Sequence, residues 1–389
     1  MTANLEFSTL STSEDVEQIV AILSQCFNES LSNGQKYLQR IGRENFRIVR
    51  QGGQIAGGLA IYNMGQWFGS QSVPIAGIAS VGIAPEYRGT GAAALLMTET
   101  LKELHSKGIP LSTLYPATQV LYRKVGYEQG GSFCTWEMPL DSIRISDRTL
   151  PIQPVIPLEH EAFHQIYHEW AAKNNGLLNR HQAIWESIVK PPNQETVYAY
   201  LIGSTTQPQG YIIFSQQEEE RIFIRDWAAI SLQAGRRLWT AIADHRSQIK
   251  KVIWRSSVVD PFQLLLSEQT ARIRSLDRWM VRVINVGLAL EKRGYPQTIE
   301  AELHLKVSDS LLPENNGKFI LSVSGGRGEI TRGGRGDLQL DVRGLASLYT
   351  GLFTPHQLQL IDRLESTDEA LNLATLIFAG PQPWLPDFF

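Results

Sequence analysis

A chain of 389 residues exceeds what one hydrophobic core serves, so two or three domains are expected. Hydrophobic residues at 43% and charged residues at 19% suit a folded globular protein, and a net charge of −3 excludes nucleic-acid binding through a general basic surface. Two cysteines, Cys26 and Cys134, are too few for a disulfide framework and stand in no metal-ligand spacing; both read as core fillers.

The N-terminus, Met1-Thr-Ala-Asn-Leu-Glu-Phe, has no basic stretch followed by an apolar run, which argues against a secretory leader. No stretch approaches eighteen apolar residues, so no membrane-spanning helix is predicted and the expected location is cytoplasmic. A strand around Phe7 precedes a helix that starts at Ser11-Thr-Ser-Glu-Asp, with Val16, Ile19, Val20, Leu23 and Phe27 at helical spacing. Strands over 46–50 and 54–63 are split by Gly52-Gly53, and a third over 73–84 stops at Pro85. A helix from about 91 to 107 ends at Gly108. A strand at 112–115, a short helix at 120–125 and a strand at 133–138 complete an α/β domain of about 140 residues.

Prolines 151, 154 and 157 mark a linker. Beyond it come a helix bearing Phe163, Ile166, Tyr167 and Trp170, a second helix at 182–189, strands at 196–202, 210–214 and 221–227, a helix at 232–246 and a strand at 251–254. This repeats the element order of the first half without its glycine loop, as a pattern only. His160, His164 and His168 share a helix face, but no carboxylate or cysteine grouping completes a ligand set, so a solvated or core-edge face is expected and no metal. A third segment opens with a strand from 277. Strands at 300–307, 317–323, 329–332 and 337–342 follow, with a turn at Gly325-Gly326, then helices at 343–350, 355–362 and 368–378. The ending Trp384-Leu-Pro-Asp-Phe-Phe389 is too apolar and proline-fixed for a loose tail.

The strongest local signal is Val81-Gly82-Ile83-Ala84-Pro85-Glu86-Tyr87-Arg88-Gly89-Thr90-Gly91-Ala92-Ala93-Ala94. A strand stops at a proline, and a loop with two glycines leads into a helix. Glycines let backbone approach a ligand, and unpaired N–H groups in a helix's first turn attract anions, which together make a pyrophosphate cradle. Arg88 adds a charge-assisted donor. The other reading is a plain strand-turn-helix connection tightened by glycine.

About thirty residues on stands Leu121-Tyr122-x-x-x-Gly126-Tyr127. Paired with the Arg88-Gly-x-Gly91 helix start, it resembles the GNAT superfamily of acetyltransferases. That resemblance implies acetyl-CoA as cosubstrate and a splay of adjacent strands after the first motif. It places Val81, Gly82 and Ile83 along the pantetheine, and Gly89, Thr90, Gly91, Ala92, Ala93 and Ala94 around the pyrophosphate. It makes Tyr122 the acid that protonates the leaving coenzyme A, a role suited to a phenol of ordinary pKa about 10. Tyr127 falls at a packing position. Glu86 departs from the family's usual Gln or Arg there, which gives Arg88 more weight. No base presents itself in this segment: Glu14, Asp15 and Glu29 read as helix-start or surface residues.

The layout of the whole chain resembles the Eis-type (enhanced intracellular survival) acetyltransferases: α/β (α+β), two tandem GNAT-like domains over 1–145 and 146–276, then a sterol-carrier-protein-like domain over 277–389. The resemblance implies that the terminal α-carboxylate, here that of Phe389, is the general base, anchored by Phe388 and Trp384. It also implies an amine acceptor of aminoglycoside, polyamine or lysine type and a homo-oligomer of hexameric type. Trp67, Phe68 and Glu29 are candidates to line a cation pocket that sequence alone does not place, and the charge and the missing apolar span argue against nucleic acid and membrane as partners. Two other readings stand beside it. One is a lipid carrier whose tunnel is lined by Leu311, Leu312, Leu345, Leu348, Leu352 and Phe353. The other is an inactive tandem scaffold, which Glu86 keeps open.

Overall fold

The computed structural model describes residues 5–191 and 195–389. Residues 1–4, on which the reading of the N-terminus partly rests, lie outside the described residues. The first segment runs β1 (Leu5–Thr9), α1 (Ser13–Phe27), α2 (Leu31–Ile41), β2 (Phe46–Gln51), β3 (Gln54–Phe68), β4 (Gln71–Ile83), α3 (Ala92–Ser106), β5 (Leu111–Leu114), α4 (Gln119–Lys124) and β6 (Glu128–Pro139). Next come β7 (Ile152–Val155), α5 (His164–Ala171), β8 (Leu178–Asn179), α6 (Gln182–Val189), β9 (Val197–Gly203), β10 (Pro208–Gln217), β11 (Arg221–Ala229), α7 (Leu232–Ala243), β12 (Lys251–Ser256) and β13 (Arg272–Val283). The last segment is α8 (Val286–Lys292), β14 (Ala301–Ser308), β15 (Gly317–Ser324), β16 (Arg327–Arg332), β17 (Leu338–Asp341), α9 (Val342–Thr350), α10 (Pro355–Leu360), β18 (Glu365–Ser366) and α11 (Asp368–Ile377).

Local chemistry sets many of these boundaries. At α1 the Thr12 side chain accepts the Asp15 N–H while the Asp15 carboxylate accepts the Thr12 N–H, a reciprocal cap. Two helices stand between β1 and β2 where the sequence reading placed one. The second, α2, is capped by Ser30 and buries only Leu38 and Ile41, too few apolar positions for a visible period. Helix α8 was missed for a similar reason: seven residues, started by the Asn285 side chain accepting the Leu288 N–H.

Packing divides the chain into two units. The first holds residues through Gly130, Trp279–Gly380 and Phe389. Its larger sheet runs β1-β2-β3-β4-β5-β13, and a five-stranded sheet runs β16-β15-β14-β17-β18. One core joins Leu59, Leu96, Met97, Leu101 and Leu114 to Met280, Ile284 and Leu312, so the chain's last third shares its apolar interior with the first. Fully buried Arg282 reinforces that junction, donating to the Val125 carbonyl at 2.9 Å and to both Asp309 oxygens at 2.7 and 2.9 Å. Glu128 binds Arg123 and Arg343 together. Leu312, Leu345 and Leu348 are buried as ordinary core.

The second unit comprises Gly131–Arg278 and Pro381–Phe388. Its strands run β6-β12-β11-β10-β9-β7, with α5 and α7 against β10 and β11. Trp136, Trp239, Trp254, Ile212, Ile222 and Leu238 are among its core residues.

Candidate active site

Strand β4 carries the site's geometry. It pairs with β3 throughout, but the register shifts so that Leu59 faces both Ser80 and Val81. Ser80 adopts φ 52, the left-handed conformation of a bulge residue. Strand β5 pairs with β4 only over Ile75, Ala76 and Gly77, and beyond Gly77 that edge of β4 has no strand partner among the described residues.

Past Ile83 the chain turns at Pro85–Tyr87 and reaches Gly89 at φ 80 and Gly91 at φ 92. An added Cβ on either glycine would meet no atom within 4 Å, so backbone conformation, not crowding, selects glycine at both. Gly91 caps α3 without a side-chain hydrogen bond, which leaves first-turn N–H groups around Ala92, Ala93 and Ala94 available to an anion. The corresponding helix of the second unit differs. At α7 the Ser231 side chain already accepts the Ala234 N–H at 3.2 Å.

Arg88 is exposed, and its Nε donates to the Ile83 carbonyl at 3.2 Å. The Cys26 sulfur lies 3.4 Å from the same oxygen. Cys26 is therefore half-buried against the end of β4, not a core filler, whereas Cys134 lies in the second unit's core with its thiol pushed up to about 11 by burial. Glu86 is exposed within the turn. Thr90 donates its hydroxyl to the Tyr87 carbonyl at 2.8 Å and so braces the loop.

Tyr122 lies on α4 with 5% of its surface exposed. Burial pushes its phenol up to about 12, which corrects the ordinary value used in reading the sequence. Its ring meets Tyr127 edge-on at 5.9 Å. Tyr127 is wholly buried, its hydroxyl 2.7 Å from Ser112 Oγ, which in turn donates to the Ala76 carbonyl at 2.8 Å. Tyr127 thus ties β5 to β4 just before the two strands separate.

The Phe389 ring packs edge-on against Tyr62 at 5.8 Å and Tyr115 at 6.1 Å. A Cβ added to Gly77 would stand 2.8 Å from Phe389 Cε2. Gly77 is the last β4 residue paired with β5, so the ring fills the notch where the strands diverge. Tyr62 is hydrogen-bonded to Tyr37, and the Tyr37 hydroxyl lies 2.9 Å from Ser80 Oγ at the bulge. Burial pushes both phenols up. Reading the sequence missed Gly77, Tyr62 and Tyr115; a run of small residues in β4 was the only local signal.

In the second unit, Arg180 pairs bidentately with Asp226 at 2.6 and 2.9 Å and with Asp387 at 2.9 Å through Nε and Nη2. Tyr167 and Trp185 cover its guanidinium. Trp384 is buried and its indole donates to Asn174, whereas Phe388, expected to be buried, is 67% exposed.

Placement decides several expected roles: Asp15 and Glu29 keep the helix-start and surface places read from the sequence, and Phe68 does not keep its place. Phe68 is fully buried against Tyr349 at 5.2 Å and lines no acceptor pocket. Asp15 caps α1 and pairs with Arg50 at 2.6 Å, while exposed Glu29 accepts from Asn33. His160 and His164 stack on Trp185 and lie 3.1 Å apart through their ring nitrogens. Among the described residues no group of three or more His, Cys, Asp or Glu is placed to hold a metal, and no helix is long and apolar enough to cross a membrane.

Three family models match the chain in succession. Residues 9–130 and 176–283 each match an acetyltransferase (GNAT) domain family, and residues 286–386 match a sterol carrier protein domain. A GCN5-related N-acetyltransferase from Anabaena variabilis superposes with a TM-score of 0.97 at 54% identity, over 99% of this chain and 100% of that one. N-acetyltransferase Eis of Mycobacterium tuberculosis is 26% identical over 325 residues, 78% of this chain and 77% of the relative. Eis1 from Mycobacterium abscessus shares the fold, with a TM-score of 0.83 at 21% identity over 99% of this chain and 100% of that one.

Proposed function

Since the chain belongs to the GCN5-related N-acetyltransferases, in the three-part arrangement of the Eis type, we propose that it moves the acetyl group of acetyl-CoA onto a primary amine of a polycationic acceptor. The observation that carries this reading is the meeting, at one divergence of two strands, of an open β4 edge, a helix start without a side-chain cap, and the Phe389 ring.

In this reading the backbone of Gly89, Thr90, Gly91, Ala92, Ala93 and Ala94, with Arg88, holds the pyrophosphate. The edge from Val81 through Gly82 to Ile83 pairs with the pantetheine. Arg88 occupies the Ile83 carbonyl until a phosphate draws it away. Engaging one end of the cosubstrate therefore frees an acceptor for the other.

The amine nitrogen attacks the thioester carbonyl carbon, a C–N bond forms and the C–S bond breaks. The amine proton passes to the Phe389 carboxylate, and the Tyr122 phenol gives its proton to the leaving sulfur. A phenol at about 12 is reliably protonated at neutral pH. Against an alkyl thiolate of pKa about 8.5 in water the transfer runs uphill by roughly 3.5 pH units. A thiolate expelled into the same apolar surroundings is raised by the same desolvation, which narrows the gap.

The acceptor class is an aminoglycoside, polyamine or lysine amine; the segments are 1–145, 146–276 and 277–389; the setting is cytoplasmic and the assembly hexameric, which light scattering of the purified chain tests. The function itself is tested by thiol release from acetyl-CoA across polyamines, aminoglycosides and lysine peptides. Wild type is compared with Tyr122→Phe and with a chain extended beyond Phe389. Background rates with every amine would remove the acceptor class, and full rates in the extended chain would remove the carboxylate's role alone.

A further inference from the structure

Between α7 and the sheet of the second unit lies a cavity of about 160 Å³. Tyr200 and Phe214 form one wall, their rings stacked at 6.1 Å and 12° between planes. His245 stands edge-on to Phe214 at 5.4 Å, its Nδ1 3.0 Å from the Ala241 carbonyl. Buried isoleucines supply the floor.

One guanidinium interrupts this apolar lining. Arg237 is 6% exposed, its Nε donates to the Leu150 carbonyl at 3.1 Å, and its Nη1 has no hydrogen-bond partner among the described residues. Buried donors are nearly always paired, so this guanidinium, whose side chain lines the cavity, is short of an acceptor, although Nη1 itself is sealed from the cavity space. The charges nearby sharpen the request. Asp244 is held bidentately by Arg148 at 2.6 and 2.8 Å, and Asp147 accepts from Arg236 at 3.0 Å. Two carboxylates thus face three guanidiniums, and the positive charge left over is that of Arg237. Burial works against that charge, and an anion would restore it.

Size limits the guest. An engineered apolar cavity of roughly 150 Å³ admits benzene. We propose that the second unit binds a small monocarboxylate with a compact apolar body, of the dimensions of benzoate, its carboxylate on Arg237 and its body against Tyr200 and Phe214. The site is separate from the acetyl-transfer chemistry and does not rest on it. Asp244, 40% exposed at its side chain, stands at the rim, where Arg148 cancels its repulsion of an incoming anion.

The test is titration of the full chain with 4-fluorobenzoate, followed by fluorine NMR and calorimetry, with benzyl alcohol as the uncharged match. Saturable binding at one site is expected, with benzyl alcohol and the Arg237→Met variant each weaker by about tenfold or more. Ala241→Phe, which fills the cavity and keeps the guanidinium, is expected to abolish binding while circular dichroism stays unchanged. Should Arg237→Met fail to fold, Ala241→Phe decides. Wild-type affinity in either variant, or no saturable binding by the wild type, overturns the proposal.

Discussion

Tyr122, with a phenol near 12, does not titrate in the range where enzymes are assayed, so the proton transfer proposed for it is tested by rate and not by the shape of a pH profile. Tyr122→Phe is expected to lower kcat by about 100-fold with KM for acetyl-CoA unchanged, as measured by steady-state thiol release. A rise in KM with kcat intact would move the residue from proton transfer to binding. Gly77 offers a separate test, of the notch that the Phe389 ring fills. Its missing Cβ leaves room for the Phe389 ring at 2.8 Å and for the Met64 methyl at 2.3 Å. Methionine bends aside readily, whereas the ring is held by Tyr62 and Tyr115. Gly77→Ala should therefore displace the ring, and a displacement of that order costs up to about 100-fold in turnover. Wild-type turnover in that variant would show the ring's seat to be incidental to the reaction.

Where β4 hands over to α3, the loop depends on two left-handed glycines. Gly91→Ala meets open space but must hold φ 92, a strain of about 1–2 kcal/mol. A lower urea midpoint and a higher KM for acetyl-CoA are expected together, since strain relaxes by turning the first-turn N–H groups away. This handover was legible in the sequence because its signals are local: a proline stop, paired glycines and an apolar period. The bounds of α6, predicted at 182–189, match the structure for that reason. The bulge was not legible, since Ser80 holds its conformation through Tyr37, forty-three positions away. Nor was the company of Phe389, which β3, β4 and the residue after β5 bring together only on folding. Phe68 and Phe388 were misplaced because apolarity alone does not say which aromatic residues the core has room for.

The first unit carries carboxylates that link its stability to acidity. The Arg50 hydrogen bond holds Asp15, and that of Arg47 holds Glu103, each at about 2. Folded values below the unfolded ones mean that stability is present above about pH 4.5 and is lost as pH falls towards 2. Urea midpoints should fall across that window, and Asp15→Asn should flatten the fall; an unchanged slope would assign the acid sensitivity elsewhere. This unit is also discontinuous along the chain, since Leu114 of β5 pairs with Met280 of β13. On a ribosome adding about 5–20 residues per second, a nascent β5 waits roughly 8–33 s for that partner. Most of the inserted unit emerges during the wait and can begin to fold, while β5 keeps an open edge of the kind that invites wrong pairings. The part of the molecule that begins first in sequence is thus among the last to be finished, and its nascent chain is a natural client for a chaperone.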